Sequence, residues 1–139
     1  MIEISTEARR LDVALIHGFL TNESHWARGI PLGIVERALA NSLCFGAYEE
    51  GRQIGLARVV TDYATFAWLA DVFVAEAARG RGIATALVRA MFEHSELQTI
   101  RRWVLGTRDA HDVYAPFGFT PADPKIFMVH APDPTNWSE

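Results

Sequence analysis

Cysteine and lysine are almost missing from this chain of 139 residues. Cys44 stands alone, so no disulfide can form within the chain, a pattern that fits a reducing compartment. It lies in the apolar stretch Leu43-Cys44-Phe45, where a buried strand thiol is expected rather than a nucleophile. Lys125 is the sole lysine, and 17 acidic against 13 basic residues give a formal net charge of −4. A nucleic-acid surface wants a basic stripe, so nucleic acid is not an expected partner. No apolar run approaches the roughly 20 residues of a membrane span. Met1-Ile2-Glu3-Ile4 offers neither the basic start nor the long apolar stretch of a secretory leader. A cytoplasmic chain with no membrane partner is therefore expected. The 5 histidines show no His-x-x-x-His pattern backed by carboxylates, and no metal is expected. Repeats, low-complexity tracts and linkers are absent too. One domain is expected over 1–139, with a core at about 11–130 and a loose, proline-rich tail at 131–139.

What the chain does have is apolar residues, 50% of the total against 22% charged, enough for a sizeable core. Leu11 to Ile16 reads as a first strand, broken by Gly18. Thr21 or Asn22 could cap a short helix holding His25 and Trp26 and ending at Gly29. Pro31 opens a helix whose apolar face is Ile34, Val35, Ala38 and Leu39, with Asn41 as its stop. Leu43–Tyr48 and Gln53–Thr61 read as strands joined through Gly51. Asp62–Thr65 forms a turn, and Phe66–Val74 is a nearly continuous apolar run, broken only by Asp71, of the kind buried on both faces of a sheet. Gly82 to about Leu97 is the clearest helix. Trp103–Thr107 is a strand, Asp109–Phe117 a short helix stopped by Gly118, and Ile126–His130 a last strand. The class is α/β: the middle strands form an antiparallel meander, and the later strand–helix–strand step suits a parallel crossover.

The chemically informative segment is Asp71-Val72-Phe73-Val74-Ala75-Glu76-Ala77-Ala78-Arg79-Gly80-Arg81-Gly82-Ile83-Ala84. A buried strand ends, the chain turns, and glycines lead into a helix. The first amides of a helix lack partners within it and carry the positive end of its dipole, which suits phosphate. Gly80 and Gly82 leave the backbone uncovered, Ala84 is small, and Arg79 and Arg81 add donors. The same residues could form a plain polar turn before an amphipathic helix. A Walker loop is excluded because the Gly-Lys-Ser/Thr ending is missing. A dinucleotide loop would need glycine where Thr85 stands.

This segment resembles the acetyl-CoA pyrophosphate loop of the GNAT superfamily, Gln/Arg-x-x-Gly-x-Gly/Ala, with Arg79, Gly82 and Ala84 at the three fixed places. Glu76 stands where the family often has proline. Downstream, Ala110-His111-Asp112-Val113-Tyr114-Ala115-Pro116-Phe117-Gly118-Phe119 resembles the family's Ala-x-x-Leu-Tyr-x-x-x-Gly-Phe signature. The resemblance implies a mixed, mostly antiparallel sheet, flanked by helices, whose fourth and fifth strands splay apart. It implies acetyl-CoA as co-substrate, its pantetheine arm along Val72, Phe73 and Val74. Its phosphates would lie over Arg79, Gly80, Arg81, Gly82, Ile83, Ala84 and Thr85. Thr107 falls where many members have an asparagine that contacts the cofactor.

The reaction so implied is direct acetyl transfer to a primary amine, expected to be a small molecule. A fourth-strand amide, that of Val74, would stabilise the oxyanion, and Tyr114 would protonate the departing thiolate. Asp71, a lone carboxylate in an apolar run, is either the base or the partner of an arginine such as Arg58. Trp26, His25, Arg58 and Asp62 are candidates for the acceptor side, each also readable as packing or surface. The rival functions are a GNAT-fold module that binds acyl-CoA without turnover and an acetyltransferase acting on a peptide or protein amine. The chain is expected as a monomer or homodimer.

Overall fold

A computed structural model describes residues 1–131. Short runs rich in apolar, β-branched and aromatic residues give five strands: β1 (Ile2–Ser5), β2 (Leu43–Glu49), β3 (Arg52–Thr61), β4 (Phe66–Val74) and β5 (Arg102–Leu105). They lie in one sheet in sequence order. Each pairing is antiparallel except β4–β5, which is parallel. The crossover between those two is α3 (Ile83–Glu93), and α4 (His111–Tyr114) follows β5. Helices α1 (Val13–Asn22) and α2 (Leu32–Ala40) connect β1 to β2.

The sheet is covered on both faces, which is why its central strands read as continuous apolar runs. On one face Ile83, Leu87, Val88 and Met91 of α3 pack with Phe45, Ala57, Val59, Ala67 and Leu69. On the other, Ile16 and Leu20 of α1 and Val35 and Leu39 of α2 pack with Cys44, Leu56 and Phe73. Leu69 and Phe73 are four positions apart, an even offset, yet face opposite ways. The register explains this. Arg58 opposes Asp71 while Val59 opposes Leu69, so Ala70 is an extra residue in β4. This bulge inverts the alternation and turns Asp71 and Phe73 to the α1–α2 side.

Several expectations are corrected. Leu11–Ile16 is not a strand but the approach to and first turn of α1. Asp12 caps that helix by accepting a hydrogen bond from the Leu15 amide at 3.0 Å. Ile16 and Leu20, four apart, bury its inner edge, while Gly18 faces open space and is carried without a break. His25 and Trp26 lie in no helix. Their loop is fixed by Ser24, whose hydroxyl donates to the Leu20 carbonyl and accepts from the Ala27 amide. β1 lies ahead of the first expected strand. The α3 helix stops one turn short of Leu97, because His94 turns extended and its ring accepts from the Glu96 amide. β5 ends at Leu105, not Thr107. Ile126–His130 is not a strand: it pairs with no strand among the described residues. The expected loose tail lies, apart from Ala131, outside the described residues.

Candidate active site

The β4–β5 ladder runs only from Phe66↔Arg102 to Leu69↔Leu105, while β4 continues to Val74. The strands part there, as the resemblance to the GNAT superfamily implies. The Ala75 amide donates to the Ile54 carbonyl at 2.8 Å, which fixes the alternation of the last turns of the ladder. Phe73 and Asp71 turn their peptide groups to β3, and Val72 and Val74 turn theirs into the opening. A cavity of about 690 Å³ lies at this parting. Trp26, Arg58, Asp71, Val72, Thr107 and Tyr114 all border it.

Beyond Val74 the chain makes a 3₁₀ turn at Glu76–Ala78 and reaches Gly80 and Gly82, with φ of +79° and +77°. Both are left-handed, the conformation glycine tolerates best, and a Cβ at either would meet nothing within 4 Å. The backbone amides from Gly80 through Thr85 have no acceptor among the described residues; the first helical bond is Ala86 N–H to the Gly82 carbonyl. A row of free amides at the start of an eleven-residue helix is of the kind that suits an anion. The arginines beside it differ. Arg81 is forked onto Glu49, at 3.0 and 2.6 Å, and this pairing holds the Glu49 carboxyl below its usual range. Arg79 uses its Nε on the Val74 carbonyl at 3.1 Å and has no carboxylate partner among the described residues. Ile83 is buried and anchors the loop from beneath, while Ala84 and Thr85 stand at the surface of the first turn.

Asp71 is buried, with both oxygens engaged. Oδ1 accepts from the Trp26 indole N–H at 2.6 Å, and Oδ2 accepts from Arg58 Nε at 2.6 Å. Arg58 also donates to the Ser42 hydroxyl at 3.0 Å, and Ser42 donates to the Ala38 carbonyl. The pair is thus held from β3, β4, the α1–α2 loop and the end of α2. His25 stacks edge-on against Trp26 and borders the cavity. Asp62 is not brought to the cavity. It organises the β3–β4 turn, accepting from the amides of Thr65, Ala64 and Phe66 and from the Thr65 hydroxyl. Those donors, the Thr65 amide first, hold its carboxyl well below the usual range.

Tyr114 ends α4 with its ring against Phe119 and little of its surface exposed. Its hydroxyl makes no hydrogen bond among the described residues and is not sealed from solvent, so it opens on the cavity. Burial raises its pKa and keeps the phenol protonated. The Thr107 hydroxyl accepts from the Ala110 amide at 3.0 Å, bracing the entry to α4, and also borders the cavity. Sequence reasoning missed Ser42, Glu49, the Ala70 bulge and the apolar wall of Ile30, Ile34, Val35 and Leu39. Only the wall left a signal, since Ile34, Val35 and Leu39 belong to the α2 face whose period was legible. Among the described residues no cluster of His, Cys, Asp or Glu could hold a metal, and no helix is long and apolar enough to cross a membrane.

Comparison with known proteins agrees with this geometry. The family model described as acetyltransferase (GNAT) domain matches residues 40–121, more than half of the chain. A candidate GNAT-family acetyltransferase from Xanthomonas campestris pv. campestris, known as a crystal structure, is 46% identical. The match covers 100% of this chain and 98% of that one, at a TM-score of 0.95. A GNAT-family acetyltransferase from Elizabethkingia anophelis, solved with acetyl-CoA bound, is 18% identical, with a TM-score of 0.66 over 88% of this chain and 78% of that one. At that identity the likeness is one of fold. A candidate acetyltransferase of Gibberella zeae is 32% identical over 98 residues, 57% of this chain. The match spans 55% of that protein's length.

Proposed function

Since the chain belongs to the GNAT acetyltransferase family, we propose that it transfers an acetyl group from acetyl-CoA to a primary amine on a small molecule, by direct attack. The observation that carries this is the row of free amides from Gly80 to Thr85, which follows β4 beyond the point where β4 and β5 part. The amides and Arg79 receive the phosphates. The Val72 peptide edge and the Val74 N–H hold the pantetheine arm between the strands, which brings the thioester to the cavity.

The chemistry then follows. The acceptor gives up a proton to solvent, and its nitrogen lone pair attacks the thioester carbonyl. Charge develops on the carbonyl oxygen, and the N–H of Val72, a residue that borders the cavity, stabilises it rather than that of Val74, which does not border it. The nitrogen of the tetrahedral intermediate gives its second proton to solvent, the C–S bond breaks, the sulfur takes the Tyr114 proton, and N-acetyl amine and CoA leave. Solvent restores the phenol proton. A base role for Asp71 would require it to release Trp26 or Arg58; we assign it to holding those two side chains. The wall of Leu20, Ala27, Ile30, Val35 and Leu39 suits an amine with an apolar body.

The test is incubation with acetyl-CoA and a panel of amines, aliphatic, aromatic and peptide, with acetylated product read by mass spectrometry. Product on apolar small amines is expected. Calorimetric binding of acetyl-CoA with no product on any amine would refute the transferase reading and leave a binding module. Product on peptides alone would refute the acceptor class.

A further inference from the structure

The cavity is apolar along α2, where Ile34, Val35, Ala38 and Leu39 border it, yet a cation borders it too. Arg58 stands on β3 opposite Asp71 and reaches Ser42, just past the end of α2. A guanidinium carries five N–H donors in a planar fork. Nε is engaged by Asp71 and one Nη1 donor by the Ser42 hydroxyl, which leaves three donors, and Nη2 bonds to nothing among the described residues.

Those donors are not sealed in the core. Among the described residues, the one buried side-chain polar atom without a partner is the Tyr48 hydroxyl. The Arg58 side chain keeps 18% of its surface open. The guanidinium is also fixed, because Asp71 holds it from β4 and Ser42 holds it from the end of α2. Its spare donors therefore stand at a set place beside an apolar wall. Donors of this kind are hydrated in a free protein. A bound molecule that displaces the water must replace its hydrogen bonds or lose affinity. An amine with a purely apolar body replaces none of them, whereas an oxygen acceptor on that body does.

We infer that the acceptor is an α-amino acid, free or as its amide, with an apolar side chain. Its amine faces the thioester, its carboxylate or carboxamide oxygen takes the spare Arg58 donors, and its side chain lies on the α2 wall. The oxygen belongs close to the amine, since Asp71, against which Arg58 is held, precedes Val72 by one residue, about 3.3 Å along β4. The inference rests on the transfer reading above and narrows its acceptor.

The test compares leucine, leucinamide and isopentylamine, which share one isobutyl body and differ in the oxygen. Each is titrated by calorimetry into the full chain in excess CoA. Leucine or leucinamide should bind about 30-fold more tightly than isopentylamine, and whichever leads names the free acid or the amide. In Arg58→Lys, checked for folding by circular dichroism, that preference should shrink to about threefold, because an ammonium lacks the fork. The same pH for both proteins removes differences in amine basicity. If the lysine variant does not fold, Arg58→Met with Asp71→Asn removes both charges together and keeps an acceptor for the Trp26 indole. Turnover of acetyl-CoA on the three amines should follow the order of binding. An Arg58-dependent preference in binding, without product on any amine, would refute the transfer reading and leave this one standing. Equal binding of the three by the wild type, binding of none, or a preference that survives the loss of Arg58 would overturn the inference.

Discussion

Tyr114 and Asp71 border the same cavity with opposite bonding: one hydroxyl is free, one carboxylate is saturated. Tyr114→Phe keeps the ring packed and removes the proton. Turnover should fall by about 10²–10⁴, with acetyl-CoA affinity by calorimetry nearly unchanged. Burial raises the phenol pKa, so the alkaline limb of kcat should lie above the ordinary value of about 10. The same sign governs stability. The protonated form is favoured by folding, so its contribution is complete below the unfolded value and is lost as pH rises through the folded one. Asp71→Asn leaves Arg58 without its countercharge in a mostly buried site. It should cost ~3 kcal/mol in denaturant unfolding and leave the shape of the pH–rate profile unchanged. A turnover defect that recovers at high pH, with stability intact, would instead make Asp71 the base. Arg58 was legible as its partner because both lie on neighbouring apolar strands. Trp26 was not legible as a partner, since it comes from 45 residues away on a loop whose course no local pattern records. Asp62 misled because a turn carboxylate and a site carboxylate look alike in sequence; the donors around it decide.

The element that most resembles its sequence reading is the turn into α3, because its requirements are local. Left-handed φ values at Gly80 and Gly82 and a row of unbonded amides need no distant partner. Gly82→Ala and Gly82→Glu share the left-handed strain of about 1–2 kcal/mol. The glutamate alone adds negative charge where phosphate is proposed to bind. Calorimetry should show acetyl-CoA affinity at least about 100-fold weaker for Glu than for Ala, with both variants folded. Equal affinities would refute the phosphate assignment. The arginines separate in the same way. Arg79→Ala should weaken binding about tenfold through the loss of a charged donor, whereas Arg81→Ala should do less, since Glu49 already holds that guanidinium. Elements that depend on distant contacts were less legible. Leu11–Ile16 has too few residues for a helical period to declare itself, and a capping Asp12 outweighs β-propensity there. The Ala70 bulge has no sequence mark at all, yet it decides which way Asp71 faces.

At the scale of the molecule, the apolar run of Phe66–Val74 and the later crossover made a two-sided mixed sheet legible, while its parting at β5 was implied only by the family resemblance. β1 was not legible, since Ile2–Ser5 is a short strand that exists through its pairing with β2. Ile126–His130 shows the converse. Its composition is that of a strand, and composition cannot supply a neighbour. The face that buries Cys44 has one more consequence. That thiol is 5% exposed, and burial pushes its pKa up to about 11. It is the chain's only cysteine. A colorimetric disulfide reagent added to the native protein should therefore find almost nothing to react with. Any absorbance that grows with time would count free CoA as it is made, so the protein needs no alkylation before its turnover is followed.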